Sequence, residues 1–194
     1  MNSVAMVCRD ETVLRKVSAP CVFDEQLKKD IKTLKDFCNS EDVYSISGVQ
    51  LGILKRLIYI KTTSAATTNQ LDEKDEERLY INPVILSKRG KTKYWELCVS
   101  CVDKDGLDFA SLNTRPYEIE IMYQNASQEV VTETLTGLAA TIFCHEYDHL
   151  NGILQMDNAE KNISMRPEDR WELRKREPYT IISKDCEWEE VLER

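Results

Sequence analysis

Both histidines of this 194-residue chain lie in one short segment, His145-Glu146-Tyr147-Asp148-His149. Two helical residues four positions apart project from the same face, so both imidazoles can bind one metal ion. Glu146 follows the first histidine and can lie beside the metal, where it would accept a proton from water. The pattern therefore predicts a mononuclear metal enzyme with His145 and His149 as ligands and Glu146 as acid/base.

A third protein ligand is needed if one coordination position is to remain open for water, and the chain has no third histidine. Two of the seven cysteines, Cys98 and Cys101, lie near the end of a predicted strand. Spacing alone leaves both candidates open, although the context of Cys98 is more suggestive. Cys144, adjacent to the first histidine, is expected to be a buried apolar thiol.

The histidines continue an apolar repeat in which Leu138, Ile142, His145 and His149 follow one another at steps of four, three and four. This period predicts a helix over residues 135–150, ended by Gly152, with these side chains on one buried stripe. Histidines on a buried stripe are costly unless each has a partner, and a metal ion is such a partner.

The other elements are predicted from the same periodicities. An amphipathic helix is expected over residues 24–39, a charged helix over 168–176, and an exposed loop over 64–77. Alternating or β-branched runs predict strands over residues 56–61, 79–87, 93–102, 117–123, 129–135 and 179–183, with a turn at Arg89-Gly90 between the second and third. The expected fold class is α+β, with antiparallel strands packed around a central helix that carries the His-Glu-x-x-His motif.

Composition limits the classes of partner and compartment. A net charge of −8 with dispersed basic residues disfavours nucleic acid, and no apolar stretch is long enough to cross a bilayer. Seven cysteines cannot all pair, which favours a reducing intracellular compartment, either the cytoplasm or a mitochondrion or other organelle. The length and the 42% hydrophobic content fit one domain with a sizeable core.

Three segments resemble the motifs of the peptide deformylase family. Residues 144–154, Cys-His-Glu-Tyr-Asp-His-Leu-Asn-Gly-Ile-Leu, are similar to its Gln-His-Glu-x-Asp-His-Leu-x-Gly signature. Residues 96–100, Glu-Leu-Cys-Val-Ser, resemble Glu-Gly-Cys-Leu-Ser, and residues 47–52 resemble the end of Gly-x-Gly-apolar-Ala-Ala-x-Gln. The order of the motifs also agrees, and the resemblance extends over about residues 8–160.

The resemblance implies removal of the formyl group from the N-terminal methionine of nascent peptides. It implies that Cys98, His145 and His149 hold one divalent ion, natively Fe²⁺ with Zn²⁺ as the alternative. Gln50 and the backbone N–H of Val99 would stabilise the oxyanion. Around the ligands, Glu96 would orient a histidine, and Asp148 would pair with Arg115.

The chain departs from the family pattern mainly where substrate would enter. Val43 and Ser45 replace the two motif glycines, Ser47-Gly48 replaces the alanine pair, and Leu97 replaces the glycine before the cysteine. Val43, Ser45, Gly48 and Leu97 are therefore expected to line the substrate cleft, with Ser45 narrowing it and Leu97 covering part of it. Cys144 replaces the motif glutamine, and metal binding is expected to survive all these changes.

Two hypotheses of different class follow for function. The first is a deformylase, or a relative that hydrolyses another small N-acyl or formamide substrate. The second is a divergent metal-binding protein with little or no deformylase activity, serving as a binding or scaffold module. In either case residues 1–165 are expected to form the deformylase-like domain, and residues 166–194 a charged C-terminal extension.

Overall fold

The structure is a computed structural model that describes residues 7, 9–41, 43–61, 77–103 and 105–189. Within these ranges the strands form one antiparallel sheet in the order β1-β2-β3-β4-β7, with β5 pairing β3 and β6, and β8 pairing β3. The strands are β1 Ser45–Ser47, β2 Leu57–Ile60, β3 Arg78–Val102, β4 Asp108–Arg115, β5 Glu118–Gln124, β6 Val130–Thr136, β7 Lys161–Met165 and β8 Thr180–Glu187.

The helices are α1 Glu11–Leu14, α2 Glu25–Ser40, α3 Gly137–Leu150 and α4 Arg170–Arg176. Among the described residues, the 3₁₀ turn Gly48–Leu51 precedes β2 and the 3₁₀ turn Pro167–Asp169 precedes α4. The mixture of helices with an antiparallel sheet confirms the predicted α+β class. The predicted loop over residues 64–77 falls, apart from Glu77, outside the described residues.

The predicted turn at Arg89-Gly90 is wrong, because β3 continues through it as one strand of 25 residues. Gly90 has a φ of 71°, but this conformation belongs to a register shift against β8. A Cβ at Gly90 would lie 2.6 Å from the carbonyl oxygen of Ser183 and 2.7 Å from Cβ of Tyr117. The glycine therefore permits close approach of neighbouring chain segments rather than a reversal of the strand.

The length of β3 changes its partners as well. The first part of β3 pairs with β2 and β5, and its last part pairs with β4. Strand β4 was not predicted from the sequence. The two predicted strands within β3 were expected to form a hairpin with each other, and this expectation is wrong. The predicted pair at 117–123 and 129–135 is present as β5 and β6.

Helix α2 begins where the sequence predicts, because the Asp24 side chain accepts a hydrogen bond of 2.8 Å from the N–H of Leu27. Its apolar face is buried against β1 and β2 in a cluster that includes Leu34, Phe37, Ile46 and Tyr59. This packing holds β1 and the following 3₁₀ turn against the body of the sheet.

Helix α3 packs against the sheet through Ala140, Phe143, Cys144 and Leu150, all buried in the largest core cluster. The predicted buried stripe is therefore only partly correct: Leu138, Ile142 and His145 are half-buried, and of that stripe only His149 is buried. Two residues of the stripe, Ile142 and His145, line a cavity, and the residues that pack into the core are mostly outside the stripe. Cys144 packs in the core as a thiol, as expected.

The C-terminal residues fold back onto the sheet. Strand β8 pairs with β3 between Arg89 and Lys93, and Leu173 of α4 is buried in a cluster with Trp95 and Ala110. The indole N–H of Trp95 also donates a 2.7 Å hydrogen bond to Glu177. None of the helices in the described ranges has the length and apolar character needed to span a membrane.

Candidate active site

The thiol of Cys98 and both imidazoles converge where the end of β3 faces α3. The potential ligand atoms of Cys98, His145 and His149 all lie within 4.8 Å of one another. Cys98 Sγ is 3.3 Å from His149 Nε2, and the two imidazole rings are nearly perpendicular, with centroids 4.9 Å apart. One thiolate with two imidazoles is a donor set that suits a single Fe²⁺ or Zn²⁺ ion, so the side chains fit the expected group.

Cys101, the competing candidate, lies beside this group rather than in it. It packs with Cys98, Leu14 and Leu154 in a small buried cluster. The Cys101 thiol, as a neighbouring hydrogen-bond donor, and the charge of His149 hold the pKa of Cys98 well below its ordinary value, against the effect of burial. The environment therefore favours the thiolate, which is the metal-binding form of cysteine.

A buried ion-pair network supports the first histidine. Glu96 Oε2 lies 2.8 Å from His145 Nδ1, and Arg115 donates to both Glu96 oxygens at 2.7 and 2.9 Å. The Nη1 group of Arg115 donates a further hydrogen bond to Asp148. Burial would raise the pKa of Glu96, but the Arg115 charge and the hydrogen bonds from Arg115 and His145 lower it to about 2. The carboxylate thus stays ionised and directs Nε2 of His145 toward the other ligand atoms.

Glu146 is buried beside the two histidines and has one anchored oxygen. The hydroxyl of Ser45 donates a 2.7 Å hydrogen bond to Oε1 of Glu146. Oε2 is buried and has no hydrogen-bond partner among the described residues. Burial raises the pKa of Glu146 above its ordinary value, although the neighbouring histidines oppose this. The contact with Ser45 was not predicted from the sequence.

Gln50 is held with its amide N–H groups directed at the same centre. Its Oε1 accepts hydrogen bonds of 2.9 Å from both the N–H and the hydroxyl of Ser47. Its Nε2 lies 3.3 Å from Cys98 Sγ and 3.2 Å from Ser100 Oγ. Because Ser47 fixes the oxygen, the amide cannot flip without losing both bonds, and Nε2 remains the donor that faces the cavity.

Val99 lies in an irregular part of β3. The register of β3 with β4 breaks between Leu97 and Val102, and Val99 is within that break. In a regular strand, successive side chains point to opposite faces. Leu97, Cys98 and Val99 nevertheless all line one cavity, and the irregularity allows this.

A cavity of about 240 Å³ opens over these residues. Three of the positions that depart from the family motifs line it, namely Val43, Ser45 and Leu97. Gly48 does not line it: a Cβ there would lie 2.7 Å from the carbonyl oxygen of Ile53. The absence of a side chain at Gly48 is thus explained by the close approach of the chain after the 3₁₀ turn.

Leu97 has a second environment besides the cavity. It packs against the cluster of Trp95, Ala110 and Leu173, the last of which belongs to α4. The side chain that replaces the motif glycine therefore contributes to the surface on which the C-terminal helix docks.

Several residues that line the cavity were not anticipated. They are Glu41, Tyr44, Tyr94, Thr141, Ile142, Arg170 and Arg174. Arg170 and Arg174 are four positions apart on α4, and this spacing was the available indication that they share a helix face. Nothing in the sequence indicated which part of the molecule that face would meet.

The chain was compared with known proteins. Residues 4–164 match the family model described as Polypeptide deformylase. A protein named Peptide deformylase 2 from Clostridium acetobutylicum is 33% identical over 150 residues, covering 76% of this chain and 89% of that protein. A peptide deformylase from Pelagibacter ubique is 30% identical over 164 residues, covering 83% of this chain and 88% of that protein.

The fold agrees with solved structures. A crystal structure of peptide deformylase from Thermotoga maritima superposes with a TM-score of 0.69 at 30% identity, over 82% of this chain and 100% of that chain. Crystals of peptide deformylase from Plasmodium falciparum give a TM-score of 0.66 at 28% identity, over 89% and 91% of the two chains.

Proposed function

Because the chain belongs to the peptide deformylase family, we propose that it is a metal-dependent hydrolase that removes the formyl group from the N-terminal formylmethionine of nascent peptides. The observation that carries the proposal is that one cavity is bordered by Cys98, His145, Glu146 and Gln50, whose functional groups complement one another. A protein that only bound metal would need neither the acid/base group nor the amide donor.

The proposed ligands are Cys98, His145 and His149, and the bound ion is Fe²⁺ natively, with Zn²⁺ as a substitute that the same donors accept. When bound, the divalent ion supplies Lewis-acid chemistry, lowering the pKa of water and polarising a carbonyl. The contacts with Glu96, Cys101 and Gln50 would keep the ligand side chains in their binding forms and orientations. Because an iron-bound thiolate is readily oxidised, we propose that the protein acts in a reducing intracellular compartment.

Glu146 is the proposed acid/base group. Ser45 holds Oε1, so Oε2 is the oxygen that can accept the proton of the attacking water and later deliver it to the leaving amine. These two transfers balance: the formyl C–N bond breaks, the water oxygen joins the formyl carbon, and the amine leaves with the proton. Formate and a peptide with a free amino terminus are the products.

Gln50 and the backbone N–H of Val99 are the proposed donors to the oxyanion that forms on the formyl oxygen. Ser47 fixes Oε1 of Gln50, so the amide keeps its orientation, and Nε2, which contacts Cys98 and Ser100, would redirect one N–H to the oxyanion. Val99 lies in the break of the β3–β4 register, where a backbone N–H can be directed to a ligand. Val43 and Leu97 then form apolar walls for the methionine end of the substrate.

The test is turnover of a formyl-Met-Ala-Ser peptide by protein purified without oxygen and loaded with Fe²⁺. Glu146→Gln is the matched control, since it keeps the shape of the side chain and removes its basicity. We expect the substitution to lower kcat by a factor of about 10² to 10⁴ while metal content stays unchanged. Wild-type turnover no higher than that of the control would refute the deformylase function and leave a binding or scaffold role.

A further inference from the structure

The cavity contains a guanidinium whose charge no carboxylate in the described residues neutralises. Arg174 of α4 lines the cavity together with Glu146 and Gln50. Its Nε is buried and has no hydrogen-bond partner among the residues that the structure describes. Leaving such a donor unsatisfied is unfavourable. Arg174 as a whole is only half-buried, so the side chain keeps an accessible part where it lines the cavity.

The neighbouring cation provides an internal comparison. Arg170, one turn earlier on α4, also lines the cavity, but its Nε donates a 2.5 Å hydrogen bond to the carboxylate of Asp108. Arg174 instead lies over the ring of Tyr94, with 5.3 Å from the guanidinium carbon to the ring centroid. A guanidinium stacked on an aromatic ring is held in place while its edge remains able to donate. Glu41 also borders the cavity but forms no ion pair with Arg174 in the described part of the chain.

The position of Arg174 is fixed by the packing of its helix. The preceding residue, Leu173, is buried against Trp95, and Glu177 accepts the hydrogen bond from the Trp95 indole. Anchors on both sides of Arg174 leave little freedom for the intervening backbone. The helix also lies beyond the residues that match the family model, which end at 164. Arg174 therefore lies outside the part of the chain that matches the family model.

We propose that Arg174 is a specificity-determining residue that binds a carboxylate of the substrate peptide, so that the enzyme prefers formyl-Met peptides with an acidic residue after the methionine. The inference rests on the proposed deformylase function and adds to it a class of substrate. A guanidinium donates two parallel hydrogen bonds to a carboxylate, which a neutral amide of the same shape cannot match. Because the preference depends on charge, it should weaken as salt is added.

The experiment compares C-terminally amidated peptides that differ only in one group: formyl-Met-Glu-Ser against formyl-Met-Gln-Ser, and formyl-Met-Asp-Ser against formyl-Met-Asn-Ser. Amidation removes the terminal carboxylate, so a preference reports the acidic side chain. A fifth peptide, formyl-Met-Gln-Ser with a free carboxylate, tests whether the chain terminus supplies the same group. We expect wild-type kcat/KM to favour each acidic peptide over its neutral counterpart by about fivefold or more. A preference shown only by the free terminus would overturn the assignment to the acidic side chain.

The variants separate recognition from stability. Arg174→Gln should reduce the acidic-to-neutral ratio to about one, and Arg174→Lys should retain part of the preference because it keeps the charge. Lys175→Gln is the matched control, since it removes one positive charge from an exposed neighbour that does not line the cavity. A purely structural role for Arg174 would lower turnover of all five peptides equally and leave their ratios unchanged.

The outcomes distinguish the two proposals. Turnover of the neutral peptides without any preference for a carboxylate overturns the role of Arg174 and leaves the deformylase function standing. A preference that survives Arg174→Gln, or that disappears equally in Lys175→Gln, also overturns it. Absence of turnover for every peptide overturns both proposals.

Discussion

Ser45 lines the cavity and contacts Glu146, the proposed acid/base group. A motif glycine at this position would have no side chain, whereas the Ser45 hydroxyl donates a 2.7 Å hydrogen bond to Oε1 of Glu146. A hydrogen bond to a charged group is stronger than one between neutral groups, and it restricts the rotation of the carboxylate. The serine therefore has a positioning role that the expectation of a narrowed cleft did not include.

Replacing Ser45 by alanine or glycine should lower kcat by about tenfold, the equivalent of roughly 1.4 kcal/mol, and leave KM and metal content nearly unchanged. Steady-state kinetics with a formyl-Met peptide measures this, and Ser45→Thr is the control that keeps the hydroxyl. The glycine variant is the decisive one. A rise in kcat/KM for Ser45→Gly would mean that the side chain obstructs the cleft and that its hydrogen bond contributes little.

Glu96 makes stability depend on pH in a defined direction. Its pKa is about 2 in the folded protein, below the ordinary value of 4.5, because Arg115 outweighs the effect of burial. A depressed carboxyl pKa stabilises the fold above the unfolded-state value, and this contribution is lost as the pH falls through the folded-state value. Glu96 should therefore lose its contribution to the stability of the fold between about pH 4.5 and about pH 2.

We expect the difference in unfolding free energy between wild type and Glu96→Gln to be largest above pH 5 and to decrease by about 3 kcal/mol toward pH 2. Denaturant titrations of chelator-treated protein at a series of pH values measure it without contributions from bound metal. If the difference is constant over this range, Glu96 is not ionised in the folded protein as described.

The sequence predicted the residues of the proposed metal site because they lie in short segments with characteristic spacing. His145, Glu146 and His149 are on one helix, and Cys98 lies in a motif of its own. The contacts of Ser45 with Glu146 and of Arg174 with Tyr94 join segments far apart in the chain. Such contacts depend on how the elements pack, which local periodicity does not encode.

At the scale of elements, β3 organises both the sheet and the site. One end pairs with β2 and β5, while the other carries Glu96, Cys98 and Val99. Gly90 within it accommodates β8, and the sequence could not reveal this because a glycine next to charged residues also favours a turn. Whether Gly90 forms a turn or lies within a continuous strand depends on its pairing with β8, which comes from the distant C-terminal segment.

Leu173 anchors α4 to this strand through its contact with Trp95. Leu173→Ala should destabilise the protein by about 2 to 4 kcal/mol if α4 unfolds with the rest of the molecule. It should also increase amide hydrogen exchange in residues 170–187. Ile182→Ala, at a side chain that is 53% exposed in β8, is the control and should change stability by less than about 0.5 kcal/mol. Equal effects of the two substitutions would argue against docking through Leu173.

The whole molecule should be stabilised by a bound metal ion, because the proposed ligands connect the end of β3 to α3. At a free metal concentration of 100 times Kd, the gain is about 2.7 kcal/mol, or roughly 5 to 10 °C in Tm for a chain of this size. Thermal melts with Fe²⁺ or Zn²⁺, before and after a chelator, measure the shift.

Two cysteine variants show whether the shift arises at the proposed site. Cys98→Ala should remove the metal-dependent increase in Tm, whereas Cys101→Ala should keep it. The opposite result would make Cys101 the third ligand.

The packing of Leu97 with the cluster that holds Leu173 joins the motif of the cysteine ligand to the C-terminal helix. A glycine before the ligand cysteine would offer that helix no apolar contact, and Leu97 without the helix would lose part of its cover. Leu97 thus adds to the apolar surface that Trp95 and Ala110 already offer to the helix. Leu97→Gly should therefore affect the docking of α4 as well as the width of the cavity.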